Sequence, residues 1–375
     1  SIASGGNYNT VVGDEAGTSL TTGDNNVAIG FGTGDSGTTA AQNVLVGSLA
    51  GDAGTTFYNN VAIGYLALSA DTLGSNNVAI GKSALAVQNF TSSTDVFNVA
   101  VGSSAGASVT TGVDNTLIGG LAGDALTDAD FNVAIGKIAL GADTLGSRSV
   151  AVGYGTLQTQ NFTSATATYN TAVGYNAGGG VTTGINNTLI GGLAGDALTT
   201  GNNHVVLGVK ALTSEVLGSA SVAIGYSALE AQNMGADTES FNVAVGFKSG
   251  ESVTTGVQNT LIGGLAGDAL TDADTNIAIG YQALTTDTLG SQSVAIGDRA
   301  LANQNFTSAT NSLNTAVGYA AGISVTTGTA NTFLGNVAGS STTTASNNTA
   351  VGYASLGANT TGANNTAVGG QGVLD

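Results

Sequence analysis

The sequence has no cysteine, no proline and no tryptophan, and only one histidine and one methionine. Without cysteine there is neither a disulfide staple nor a thiolate metal site. Proline lacks the amide hydrogen that a β-ladder uses, so a chain of 375 residues without one fits hydrogen-bonded strands from end to end. Basic residues are also scarce. Lys82, Lys137, Arg148, Lys210, Lys248 and Arg299 stand singly against 24 acidic residues, giving a net charge of −18. So sparse a set neutralises no phosphate backbone and holds to no anionic lipid, and nucleic acid is not expected as a partner. No apolar run approaches the roughly 20 residues that cross a bilayer, so membrane insertion is not expected either. No charged-then-apolar signal opens the sequence at Ser1, and any export signal or anchor is expected to have been removed or to lie outside it. A Ser–His or Cys–His nucleophile would have to be built around His204, which has no repeated carboxylate arranged near it. No catalytic residue, cofactor or enzymatic activity is expected.

What is present is regular. The pentapeptide Asn26-Val27-Ala28-Ile29-Gly30 returns as Asn60-Val61-Ala62-Ile63-Gly64, Asn132-Val133-Ala134-Ile135-Gly136 and Asn170-Thr171-Ala172-Val173-Gly174. Its closing glycine occurs 21 times between Gly13 and Gly369, always 17 or 21 residues from the next. From Gly30 the intervals run 17, 17, 17, 21, so a 72-residue unit of four turns also repeats. A fixed period this short is the mark of a stacked repeat architecture, in which one continuous domain replaces the two or three that length alone suggests. With 59 glycines and 5% aromatics the chain cannot fill a thick core, but Val, Ile, Leu and Ala can fill a thin one. The apolar residues, 42% of the chain, sit in register, which argues against disorder. The expected fold is therefore an all-β parallel β-roll or β-solenoid of about 21 coils. At a spacing of about 4.8 Å per coil it would be on the order of 100 Å long.

Each coil reads as two short strands and a turn. Period-2 alternation in Asn-Val-Ala-Ile-Gly puts Val and Ile on one face and Asn, Ala and Gly on the other. Val and Ile are expected to form the core, leaving a small-residue face bare or closely packed against something. The third residue after the glycine is Ala in 16 of 20 coils, which also points to a close approach of backbones. The glycine itself, as at Gly30, Gly64, Gly136 and Gly174, suits a positive φ or a crowded backbone. Four residues before it stands Asn in 17 of 21 cases, as at Asn26, Asn60, Asn132, Asn170 and Asn242, with Ser at 149, 221 and 293 and His204 once. An amide there can donate to one coil and accept from the next, forming a ladder along the stack. His204 is expected to be a structural member of that ladder.

The 21-residue coils carry Gln88-Asn89-Phe90, Gln160-Asn161-Phe162, Gln232-Asn233-Met234 and Gln304-Asn305-Phe306. Their four extra residues are expected to leave the stack as a loop. Phe90, Phe162, Met234 and Phe306 are expected to pack on the apolar residue seven positions on (Phe97, Tyr169, Phe241, Leu313). They are also the first place to look for a surface contact with a receptor or glycan. Seven tyrosines that directly follow the motif glycine, such as Tyr154 and Tyr175, are expected to cover apolar surface with the hydroxyl in water.

Other motifs are weaker. Gly81-Lys82-Ser83 resembles the end of a phosphate loop, but Asn76 stands where that loop needs glycine. Asp124, Asp128 and Asp130, and again Asp268, Asp272 and Asp274, are oxygen donors of the kind calcium uses, although the spacing does not match the calcium-binding nonapeptide. Solvated turn carboxylates are the default reading. Paired threonines such as Thr182-Thr183 raise an ice-binding face, but the pairs fall mainly on one coil in four.

Asn170-Thr171-Ala172-Val173-Gly174-Tyr175-Asn176-Ala177-Gly178 resembles the head repeat of trimeric autotransporter adhesins and the similar repeats of phage tail fibres. The resemblance spans nearly the whole chain. It implies a left-handed parallel β-roll, three identical chains side by side, and a place on a surface fibre. The coils here are longer than adhesin heads are expected to have, and no stalk heptads, anchor or chaperone domain accompany them. The functional expectation is a non-enzymatic structural and adhesive fibre segment, a long rigid rod outside a cell, on a cell surface or on a virion, with itself and a surface or glycan receptor as partners. The alternative is a subunit that polymerises end to end into an extracellular filament, since neither end of the sequence shows a polar capping unit.

Overall fold

The computed structural model describes residues 5–370. The described residues form strands and turns with no helix, and they divide into two compact units, one ending at Asn186 and the other beginning at Asn187. Each unit is a parallel β-solenoid. In the first, motif strands of three residues run from Thr10–Val12 to Thr171–Val173; in the second they run from Thr188–Ile190 to Thr366–Val368. The strand of one turn pairs in parallel with the strand of the next, residue for residue, as Val27↔Val44, Ala28↔Leu45 and Ile29↔Val46 show. Where a 21-residue turn intervenes the register is kept, with Val150↔Thr171 and Val152↔Val173. The described residues hold 21 motif strands.

Each ordinary turn contains one strand of three residues, not two strands. The long turns add a second ladder of two residues, such as Gly146–Ser147 against Thr166–Ala167. The rest of each turn is a series of corners, because 17 residues must return to their starting point within a rise of about 4.8 Å. Those corners are made by left-handed residues, including non-glycines such as Phe97 (φ 56°), Asp114 (φ 57°) and Phe131 (φ 59°), each just before the ladder residue. The motif glycines serve a second purpose. Gly119 has φ 135°, and a Cβ there would lie 2.5 Å from the carbonyl oxygen of Gly136 in the next turn. Both an unusual backbone and a crowded neighbour require glycine at this position.

The expectation that Val and Ile form the core is reversed. The middle residue of the strand is buried, with Ala62, Ala134 and Ala223 all 0% exposed, whereas Ile63 is 36% and Ile118 37% exposed. Alternation assigns two faces to a strand but does not say which is inside. The asparagine decides it. Asn, Ala and Gly share a face, and Asn43 must be inside to accept and donate: its backbone N–H and Nδ2 both donate to Asn26 Oδ1 (3.1 and 3.0 Å), and Nδ2 also reaches the Phe57 carbonyl (3.2 Å). A buried amide satisfied this way fixes the orientation of the whole strand.

Two kinds of layer fill the interior. In the first, glycine stands four residues after the motif glycine and Leu or Val seven after it. A Cβ on Gly123 would lie 2.8 Å from both Leu117 Cδ2 and Leu126 Cδ1, so the two leucines occupy the space a side chain would need. In the second, Leu stands at the fourth position (Leu140, Leu157, both 0% exposed) and a polar residue at the seventh (Asp143, Gln160, both 0% exposed). The 72-residue unit is two dry layers followed by two layers with a polar side.

Candidate functional site

Two features stand out from the scaffold: an apolar outer surface, and buried polar clusters at the long turns.

The outer surface follows from the orientation of the strand. The residue before each motif glycine is Val, Ile or Leu in all 21 turns, and none of these residues is buried. Beside this row stands the residue after the glycine. Tyr154 and Tyr175 stack there across one turn at 5.7 Å between ring centroids, and Tyr226 and Phe247 at 5.6 Å. A second exposed column lies at the left-handed corner before the ladder, where Arg148 sits 5.1 Å over the Phe131 ring.

At the long turns, Phe90, Phe162 and Phe306 are 8%, 7% and 6% exposed, and Met234 is half-buried. This corrects their assignment as a surface contact. A carboxylate draws each segment inward by its backbone: Phe162 N–H donates to Asp143 Oδ1 at 3.1 Å and Phe306 N–H to Asp287 Oδ1 at 2.9 Å. The residues seven positions on point the other way, with Phe97, Tyr169, Phe241 and Leu313 all more than 50% exposed. These four, at the corner column, are the exposed apolar groups of the long turns.

The buried cluster was not recognised in the sequence. In one copy Gln160 Nε2 donates to Asp143 Oδ2 (2.5 Å) and to Ser149 Oγ (2.8 Å), while Asn170 Nδ2 donates to Gln160 Oε1 (2.9 Å). Ser149 Oγ also lies 2.6 Å from Thr168 Oγ1. The same arrangement returns with Asp287, Gln304, Ser293, Ser312 and Asn314, and with Glu215, Gln232, Ser221, Ser240 and Asn242. The first copy differs. Asp71, Gln88 and Asn98 are present, but Asn77 and Val96 stand where the others have hydroxyls. Burial pushes the Asp71 carboxyl above its usual range, against hydrogen bonds from Gln88, Gly74 and Phe90. The sequence carries a signal for it, since Asp or Glu precedes each Gln by 17 residues.

His204 is fully buried in the ladder column. Its Nε2 is 2.7 Å from the Gly218 carbonyl and its Nδ1 accepts from Ser221 N–H at 3.2 Å, so the neutral ring carries its proton on Nε2. Asn26, Asn60, Asn132, Asn170 and Asn242 are buried in the same column, and Gly30, Gly64, Gly136 and Gly174 take φ between 135° and 141°.

The aspartates are not gathered. Asp128 Oδ1 accepts from Thr111 Oγ1 (2.7 Å) and Asp130 Oδ1 from Val113 N–H (2.8 Å), each capping the previous turn. Asp272 and Asp274 do the same for Thr255 and Val257. Burial raises the carboxyl pKa of Asp124 and Asp268. Among the described residues no group of three or more His, Cys, Asp or Glu side chains is placed to hold a metal ion. Threonine is more regular than the paired motif suggests. It stands eight residues after the motif glycine in 15 of 20 turns, and its hydroxyl turns along the stack, as in Thr110 Oγ1 to Thr127 O (3.1 Å) and Thr127 Oγ1 to Thr144 O (3.0 Å).

No protein-family model, no curated protein and no solved structure matches the chain.

Proposed function

We propose that the chain is a segment of a non-enzymatic structural and adhesive fibre, displayed outside a cell or on a virion, in which three identical copies lie side by side. The observation that carries this reading is the outward row of Val, Ile and Leu, one per turn within each of the two units. A contiguous exposed apolar surface of more than a few hundred Å² marks an interaction site. A second copy of the chain offers the same row at the same pitch, so each contact recurs turn by turn and a rotation closes the assembly. No motif strand contains a charged residue, so chains of net charge −18 can meet at this face without opposing like charges. The tyrosine column and the corner residues Phe97, Tyr169, Phe241 and Leu313 stand beside it as surface for a receptor or glycan.

Negative-stain images test the reading. Discrete particles of one length support it. Filaments of indefinite length favour end-to-end polymerisation instead, and compact single chains remove the fibre altogether.

A further inference from the structure

We propose that three of the four long turns close an intramolecular ester bond, from Ser149 to Gln160, Ser221 to Gln232 and Ser293 to Gln304. Each site brings together a hydroxyl, a carboxamide, a carboxyl group and an amide donor, and every one of these side chains is 0% exposed. Gln160 Nε2 donates to Ser149 Oγ at 2.8 Å, which holds the hydroxyl oxygen against the carboxamide it would attack. The geometry repeats at 2.9 Å for Ser221 and 2.8 Å for Ser293.

The step is an acyl transfer. A bond forms between Ser149 Oγ and Gln160 Cδ, the Cδ–Nε2 bond breaks, and the hydroxyl proton ends on the nitrogen, which leaves as ammonia. Nothing is oxidised or reduced, and no further reactant is needed. Asn170 Nδ2, 2.9 Å from Gln160 Oε1, donates to the oxygen where negative charge develops. Gln160 Nε2 donates to Asp143 Oδ2 at 2.5 Å, so the carboxylate steadies the nitrogen as it takes up the hydroxyl proton and leaves. Burial keeps water from competing for the same carbon. The neighbouring hydroxyl, Thr168, Ser240 or Ser312, accepts from or donates to the nucleophile and holds it in place.

The molecule carries its own control. In the first repeat the carboxyl group, the glutamine and the donor are all present as Asp71, Gln88 and Asn98, but the nucleophile is replaced by Asn77 and its hydroxyl neighbour by Val96. No ester can form there. In a chain without cysteine such a link is a covalent staple that joins the ladder column to the long turn. The inference stands on this geometry alone and does not depend on the fibre reading.

The test is the mass of the purified full chain and of its tryptic peptides. Each link makes the chain about 17 Da lighter by loss of ammonia, so three links are expected to remove about 51 Da. Trypsin cuts after Arg299, between Ser293 and Gln304. A link at that site therefore holds the peptide ending at Arg299 to the one beginning at Ala300, and hydroxylamine at mildly alkaline pH should release them. The peptide from Ser83 to Lys137, which contains Gln88, should keep its full mass. The variant S293A, and separately Q304E, should restore two separate peptides at the third site while the first two links persist. A chain of full sequence mass with separable peptides overturns the proposal. So does an ammonia loss that maps to asparagine instead of to Gln160, Gln232 and Gln304.

Discussion

Ser221 N–H donates to His204 Nδ1 at 3.2 Å, across one turn, in the place where asparagine carboxamides accept the same bond elsewhere in the ladder. The imidazole replaces an asparagine only while it is neutral, because a protonated Nδ1 cannot accept. Burial lowers the His204 pKa below its usual value, opposed by the Gly218 carbonyl and the Glu215 carboxylate. A folded-state pKa below the unfolded one gives a contribution that is complete above about pH 6.5 and declines as the pH falls through the folded value. We expect the wild type to lose stability relative to His204→Asn between pH 7.5 and pH 5, by a margin that grows as the pH falls. Thermal midpoints of both proteins across that range measure it, with the carboxylates common to both cancelling. Parallel profiles would show that the ring titrates alike in the folded and unfolded chain, and would contradict a pKa lowered by burial.

Adjacent glycines should differ sharply in tolerance. Gly119 combines φ 135° with a close Gly136 carbonyl, whereas a Cβ on Gly120 would meet nothing nearer than 4.0 Å. Gly119→Ala should cost at least about 1–3 kcal/mol from backbone strain alone. Gly120→Ala should stay within about 0.5 kcal/mol. Denaturant melts of the two variants provide the comparison, and equal stability would contradict the placement of the glycine column.

The inversion of the strand makes neighbouring residues behave in opposite ways. Ala134 is fully buried, and Ala134→Leu should destabilise the fold by about 1–3 kcal/mol through overpacking. Ile135 faces out, so Ile135→Glu should leave the circular dichroism spectrum unchanged and weaken association between copies. If Ile135→Glu unfolds the chain and Ala134→Leu does not, the orientation is wrong.

At the long turn the two apolar residues separate in the same way. Phe162 is 7% exposed and Tyr169 58%. Phe162→Ala should cost about 3–5 kcal/mol. Tyr169→Ser should change stability little, and its effect, if this corner contacts a receptor, should appear in binding to whole cells or immobilised glycans.

Much of this architecture was legible in the sequence. The spacing of Gly13 to Gly369 carries the turns, their register and their parallel pairing, because a repeat of fixed length can stack only on its neighbour. The asparagine column could be placed for the same reason. Which face of Val27-Ala28-Ile29 lies inside could not be read from alternation, since it depends on whether the Asn26 carboxamide finds partners in the interior. The buried Asp143–Gln160–Ser149 cluster lay hidden because its members stand 17 and 11 residues apart. They meet only after the turn is closed. Phe162 is an aromatic in a sequence poor in them, yet its position is set by the carboxylate of Asp143, a residue that resembles any other turn aspartate.

The most direct measurement is the mass of the protein in solution by light scattering. Three copies burying the outward Val and Ile rows should give three times the chain's 36.2 kDa, falling when charged residues replace Ile63, Ile118 and Ile262. A wild-type particle of 36.2 kDa, unchanged by those substitutions, would contradict the proposal that this face is covered by further copies of the chain.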